Sequence, residues 1–174
     1  MVANRNNYTN TVTRNIQDNP HTCIKFFQLN LQHSRVATDN LVKLTAEQGT
    51  DIPLLQDPYR IQNKIVRIPK RHKIFTHGVS RPRAAIVVTN NQIDTLLIKQ
   101  FSDSDRVVLE VTMDNVKIVL GSMYLHINQH LGDNLLKIDA IIQHARGEGI
   151  ILAMDSNSRY HMARQADNRK RQNS

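Results

Sequence analysis

Apolar residues in this chain fall in short dense runs separated by polar clusters, with two longer stretches at helical spacing. Ile24-Lys-Phe-Phe-Gln-Leu-Asn30 has the β-branched and aromatic content of a strand. Ser34 then predicts an N-cap for a helix through about Gln48, with Val36, Leu41 and Leu44 on its inward stripe and Gly49 ending it. Ile52-Pro-Leu-Leu-Gln-Asp57 reads as a second strand, with Pro53 confining it to a strand start or an edge and Pro58 closing it. A strand–helix–strand unit of this kind is parallel if its crossover is right-handed, and it delivers Asn30 and Asp57 to the same end.

Residues 60–83 contain Pro69, Gly78 and Pro82 and suggest strand fragments joined by loops. Ala84 to Thr89, Ile93 to Lys99, Arg106 to Thr112 and Val116 to Leu125 read as successive strands. Asn90-Asn91 and Asp114-Asn115 are the hairpin signals between them. From Asp133 to Arg146, Leu135, Ile138, Ile141, Ile142 and Ala145 recur at helical spacing, and Gly147 and Gly149 stop the helix. The chain then enters Ile150 to Met154, a run without alternation, as expected of a strand buried on both faces. The pattern is α/β. It places polar residues beyond strand ends, where open α/β folds carry their chemistry: Asn30, Asp57, Tyr124, and Asp155 with Asn157. The same residue types also end strands in ordinary turns.

Composition narrows the function. The 174 residues suffice for one domain, and the single cysteine, Cys23, forms no internal disulfide, which suits a reducing compartment. No apolar run is long enough to span a bilayer and no signal-peptide layout opens the chain, so the expectation is an intracellular protein with no membrane partner. Residues 1–22 read as a disordered leader, 23–158 as the folded part, and 159–174 as a basic tail. Net charge is +8, and the excess is local. Between Arg60 and Arg83 lie Lys64, Arg67, Lys70, Arg71, Lys73 and Arg81, without an acidic residue among them. Such a run is the footprint of a polyanion-binding surface, although charge runs are commonly just solvated faces. Two carboxylates with carboxamides suit Mg²⁺ (or Mn²⁺), a hard ion taking oxygen ligands, and a carboxylate within reach of water can act as general base.

Three segments carry a family resemblance: Asn30-Leu-Gln-His-Ser-Arg-Val-Ala-Thr38, Leu54-Leu-Gln-Asp-Pro-Tyr59 and Met154-Asp-Ser-Asn-Ser158. Together they resemble the apurinic-type endonuclease domain of arthropod non-LTR retrotransposons, within the endonuclease/exonuclease/phosphatase superfamily. The resemblance implies a two-sheet sandwich flanked by helices, a Mg²⁺-dependent nicking activity on DNA, a nuclear site of action, and a place in a polyprotein beside a reverse transcriptase. It implies that Asn30 orients the metal site, that Asp57 falls where the family has its metal-binding Glu, and that Tyr124 contacts the scissile phosphate. Asp155 would align the attacking water and Asn157 would hold a phosphate oxygen. Arg81 and Arg83, like Arg67, Lys70, Arg71 and Lys73, would contact DNA by charge alone. The family's closing Ser-Asp-His motif has no counterpart here, since His126, His130, His144 and His161 lie outside any such motif. The second half of the fold is therefore expected to be incomplete, with apolar surface exposed and activity impaired. The alternative is a catalytically inactive, basic nucleic-acid-binding remnant.

Overall fold

A computed structural model describes residues 23–126 and 131–155. The leader, the basic tail and Asn157 lie outside the described residues, as do His130 and His161. Strand β1 (Phe26–Asn30), helix α1 (Arg35–Gln48) and strand β2 (Ile52–Gln56) form the parallel unit that the sequence predicts. Ser34 caps α1 through its hydroxyl, which accepts from the Ala37 N–H, and Gly49 ends the helix at φ 59°. Pro53 is accommodated at a strand start: β2 pairs with β1 along its whole length, but with β6 (Ala84–Val88) only from Leu54 onward. The missing N–H therefore costs no ladder bond on that side.

Residues 60–83 contribute a small hairpin, β3 (Arg60–Ile61) with β4 (Lys64–Ile65), and β5 (Lys73–Phe75), which pairs with β6. The first sheet thus runs β1-β2-β6-β5. The second runs β10-β9-β8-β7, built from β7 (Asp94–Leu97), β8 (Arg106–Met113), β9 (Val116–Tyr124) and β10 (Gly149–Asp155). Helix α2 (Leu131–His144) connects β9 to β10, which pair in parallel.

Asp114-Asn115 is the hairpin turn between β8 and β9, with φ of 49° and 63° at its two central residues. Asn90-Asn91 is not a hairpin. It carries the chain from β6 in the first sheet to β7 in the second. A turn signal marks a reversal of the chain and says nothing of which sheet receives the next strand.

Three apolar clusters fill a four-layer sandwich. Phe27, Leu31, Leu55 and Val87 pack under Leu41 of α1 on the outer face of the first sheet. Val108, Val119 and Met123 pack under Ile141 of α2 and Ala145 just after it, on the outer face of the second. Phe26, Ile52, Leu54, Ile86, Leu109, Leu120 and Ala153 fill the space between the sheets. The two helices sit slightly rotated from the predicted stripes. In α1 the buried residues are Thr38, Leu41 and Thr45, while Val36 is 68% exposed. Val36 lies five residues from Leu41, about 140° around the helix, so both cannot face the sheet. In α2, Leu135 and Ile142 are exposed, while Asn134 and, two turns on, Ile141 are buried.

Strand β10 packs on both faces, with Ile151 against the inter-sheet core and Ile150 and Leu152 on the α2 side. Among the described residues it stands at a sheet edge. No helix among them is long and apolar enough to cross a membrane.

Candidate active site

Alternation along the strands decides which side chains reach the site. Successive residues point to opposite faces, so every second residue lines the space between the sheets. On β1 these are Phe26, Gln28 and Asn30; on β2, Ile52, Leu54 and Gln56; on β9, Leu120, Ser122 and Tyr124; on β10, Ile151, Ala153 and Asp155. Each series starts apolar, and each ends polar at the same end of the sandwich. Strands β6 and β8 run the other way, so the residues just before them, Arg83 and Asp105, arrive at this lip as well.

The backbone stitches the lip together. The Leu31 N–H donates to Gln56 O and the His33 N–H to Asp57 O, both at 2.8 Å. The Asp57 N–H donates to Arg83 O at 2.7 Å, and the Arg83 N–H to Ser104 O at 2.6 Å. The Tyr124 N–H donates to Asp105 O, and the Leu125 N–H to Asp155 O. One side-chain bond closes this circuit: Asn30 Nδ2 donates to Asp155 Oδ2 at 2.5 Å, across the gap between the two sheets. The amide of Asn30 is itself oriented, because its Oδ1 accepts the Gln32 N–H at 2.9 Å. Asn30 thus fixes one oxygen of the Asp155 carboxylate, and Tyr124 stands beside Asp155 in register on β9.

Tyr124 has a cation on its ring. The Arg83 guanidinium lies 4.9 Å from the ring centroid and makes a two-pronged pair with Asp105, at 2.7 and 2.9 Å. A planar guanidinium suits both contacts. Arg83 therefore braces Tyr124 from within the lip instead of lying on an open basic surface.

Asp57 has left the strand, at φ 41°. Its Oδ1 accepts from Arg60 Nη1 at 2.9 Å, and among the described residues no other side chain bonds its carboxylate. Among the described residues Asn30 and Asp57 are linked through backbone, by the β1–β2 ladder and the His33 N–H, whereas the side chains of Asn30 and Asp155 touch. No cluster of three His, Cys, Asp or Glu gathers among the described residues.

The basic stretch divides in two. Arg81 and Arg83 stand at the lip. Lys73 pairs with Val88 at the far end of β6, four residue steps or about 13 Å from Ala84, and Lys70 and Arg71 precede it. Arg67 is paired with Asp39 of α1 at 2.7 and 2.8 Å, which raises the guanidinium's pKa and lowers the carboxyl's, chiefly through that hydrogen bond. Lys64, Lys70, Arg71, Lys73 and Arg81 form no ion pair among the described residues.

Sequence reasoning missed Gln28, Gln56 and Ser122, the polar layer directly beneath the lip. The available signal was a glutamine ending the otherwise apolar strand Ile52–Gln56.

No family model matches this chain, and no curated protein matches it. Solved structures do. The endonuclease domain of TRAS1, a telomere-specific non-LTR retrotransposon, superimposes with a TM-score of 0.67 at 23% identity, over 77% of this chain and 59% of that one. D. rerio TDP2 complexed with single-strand DNA product matches with a TM-score of 0.52 at 17% identity, over 77% and 60%. The AP endonuclease LMAP from Leishmania major gives 0.52 at 13%, over 76% and 54%. The chain spans about three-fifths of the length of the first two structures and just over half of the third. Its two sheets and flanking helices have the endonuclease/exonuclease/phosphatase fold.

Proposed function

We propose that this chain carries a DNA endonuclease site, hydrolysing phosphodiester bonds at the strand-end lip. The observation supporting this reading is the Asn30–Asp155 contact, which brings side chains from two sheets onto one point. Asp155, with one oxygen fixed by Asn30, is an acceptor suited to align a water and take its proton. Attack of that water on phosphorus would expel the 3′ oxygen of the neighbouring nucleotide, leaving a 5′ phosphate and a 3′ hydroxyl. Tyr124, braced by Arg83, is placed to contact the phosphate, and Asn157 would hold one of its oxygens.

A divalent cation, Mg²⁺ or Mn²⁺, fits the donors present. Such ions are held by one or two carboxylates and keep several waters. Asp57 is partly exposed, with one oxygen carrying no protein hydrogen bond among the described residues. Asp57 would hold it, with waters completing its shell, and when bound it would neutralise charge developing on the phosphate. The basic residues would draw DNA to the lip. Work beside a reverse transcriptase in a longer polyprotein, on nuclear DNA, belongs to the same proposal.

One observation favours a binding-only remnant: Arg60 already neutralises Asp57, so the metal side of the site has a resident competitor. Incubation of supercoiled plasmid with Mg²⁺ decides between the two. The nuclease reading expects conversion to open circles, abolished by EDTA and reduced at least about a hundredfold in Asp155→Ala, with DNA affinity retained. Absence of metal-dependent nicking by the unmodified protein would leave binding alone.

A further inference from the structure

Beneath the lip lies a chain of hydrogen bonds in an otherwise apolar space. Gln56 is fully buried. Its Nε2 donates to Ser122 Oγ at 2.9 Å and to Ala153 O at 3.4 Å. Its Oε1 accepts from Gln28 Nε2 at 3.2 Å, and the same Gln28 nitrogen donates to Met154 O at 2.9 Å. Ser122, also fully buried, donates through its hydroxyl to Leu55 O at 2.7 Å. These bonds join β1 and β2 of one sheet to β9 and β10 of the other.

We propose that Gln56, with Gln28 and Ser122, is a positioning device that sets the meeting of Asn30 with Asp155. Each member lies one or two residues below a lip residue. Gln28 precedes Asn30 by two on the same face of β1, Ser122 precedes Tyr124 by two on β9, and Gln56 immediately precedes Asp57. Of the carbonyls that receive the bonds, Met154 adjoins Asp155 and Ala153 lies one residue further back.

The need for such a device follows from the packing. Contacts among Ile, Leu and Val between the sheets are non-directional, so they hold the sheets together without fixing their relative slide. An Asn–Asp bond of 2.5 Å tolerates little slide. A buried amide is costly when unpaired and strongly specifying when every bond is made. Gln56 uses both its donor and its acceptor in this layer. The Arg83–Asp105 pair also bonds from the first-sheet side to the second, bracing Tyr124, the cross-strand neighbour of Asp155.

This inference rests on the proposed role of Asp155, but its test does not require activity. In Gln56→Met, volume and burial are kept and the bonds are removed. The side-chain amide protons of Asn30, assigned by their disappearance in Asn30→Ala, report its meeting with Asp155: in the unmodified protein one should lie well downfield of its partner. Gln56→Met should remain cooperatively folded while that proton returns toward the position of an exposed amide. Where nicking is measurable, kcat should fall roughly 10- to 100-fold with KM little changed. Should Gln56→Met fail to fold, Ser122→Ala carries the same test, with Ser122→Cys expected to restore part of the shift. An Asn30 resonance unchanged in a folded Gln56→Met, or no downfield proton in the unmodified protein, overturns the proposal. An unmodified protein that shows the shift but never nicks would refute the nuclease reading and leave the positioning role intact.

Discussion

Asp57 illustrates how a backbone angle selects a side chain. At φ 41° it occupies the left-handed region, which Asp and Asn enter more readily than longer residues. The shorter carboxylate sits on a bend that brings it back onto Arg60 three residues later, and neither the angle nor the pairing was legible in the sequence. His72 is a second case where surroundings decide. Its Nδ1 is buried without a hydrogen-bond partner among the described residues, beside a cavity of about 300 Å³ between α1 and the 68–72 loop. Burial, and then the Arg71 charge, lowers its pKa below the ordinary 6.5. The folded state thus resists protonation more than the unfolded chain does. The unfolded state binds the extra proton as pH falls, so this contribution to stability is complete above about pH 6.5 and declines below it. Replacement by an apolar residue removes both the titration and the orphaned nitrogen, whose burial costs about 1–3 kcal/mol. Thermal melts from about pH 7.5 to about pH 5 should therefore show His72→Leu at least as stable as the parent at neutral pH, with a visibly flatter acid slope. An unchanged slope would mean that some other group governs it.

At the scale of elements, what the sequence revealed was existence and type, with exact ends for α1 but a second helix displaced by two residues, Leu131–His144 against the expected Asp133 to Arg146. Ser34 and Gly49 bracket α1 as their chemistry requires, and the Asp114-Asn115 turn has the two positive φ angles its residues permit. Asn30, Tyr124 and Asp155 end their strands, because a strand carries its alternation with it, whereas Asp57 follows β2 on a bend. What stayed hidden was orientation about the helix axis. Two threonines, Thr38 and Thr45, are buried on α1, and Thr38 is tolerated there because its hydroxyl donates to Ser34 O at 3.0 Å. A hydrophobicity pattern counts such residues as polar and rotates the stripe toward Val36. The correction is measurable by denaturant unfolding. Val36→Lys should change stability by no more than about 0.5 kcal/mol. Leu41→Ala, beneath the same helix, should cost roughly 2–5 kcal/mol. Comparable destabilisation by both would restore the predicted stripe.

On the whole molecule, the net charge of +8 does not act as one surface. The sequence shows a basic run free of acidic neighbours. The fold, however, supplies Asp57, Asp39 and Asp105 from elsewhere to Arg60, Arg67 and Arg83. Pairing across the chain is invisible to a charge count, so three of the run's cations are already compensated. The run's cations without an ion pair among the described residues are Lys64 in the β3–β4 hairpin, Arg81 near the lip, and Lys70, Arg71 and Lys73 toward the other end of β6, a strand spanning about 13 Å. A duplex rises about 3.4 Å per base pair, so the length of β6 corresponds to some four pairs. DNA seated at the lip and running along the β5 edge would meet cations at both ends. Removing one cation that neutralises a phosphate should lower the slope of log affinity against log salt by about 0.9. Fluorescence anisotropy titrations over a range of salt should therefore show a drop of about that size for Lys70→Gln and for Lys73→Gln. Arg67→Gln should leave the slope almost unaltered, since the charge it removes is already matched by Asp39. Equal drops at all three positions would mean that DNA displaces Asp39 from Arg67. An unaltered slope in both lysine variants would confine the bound strand to the lip.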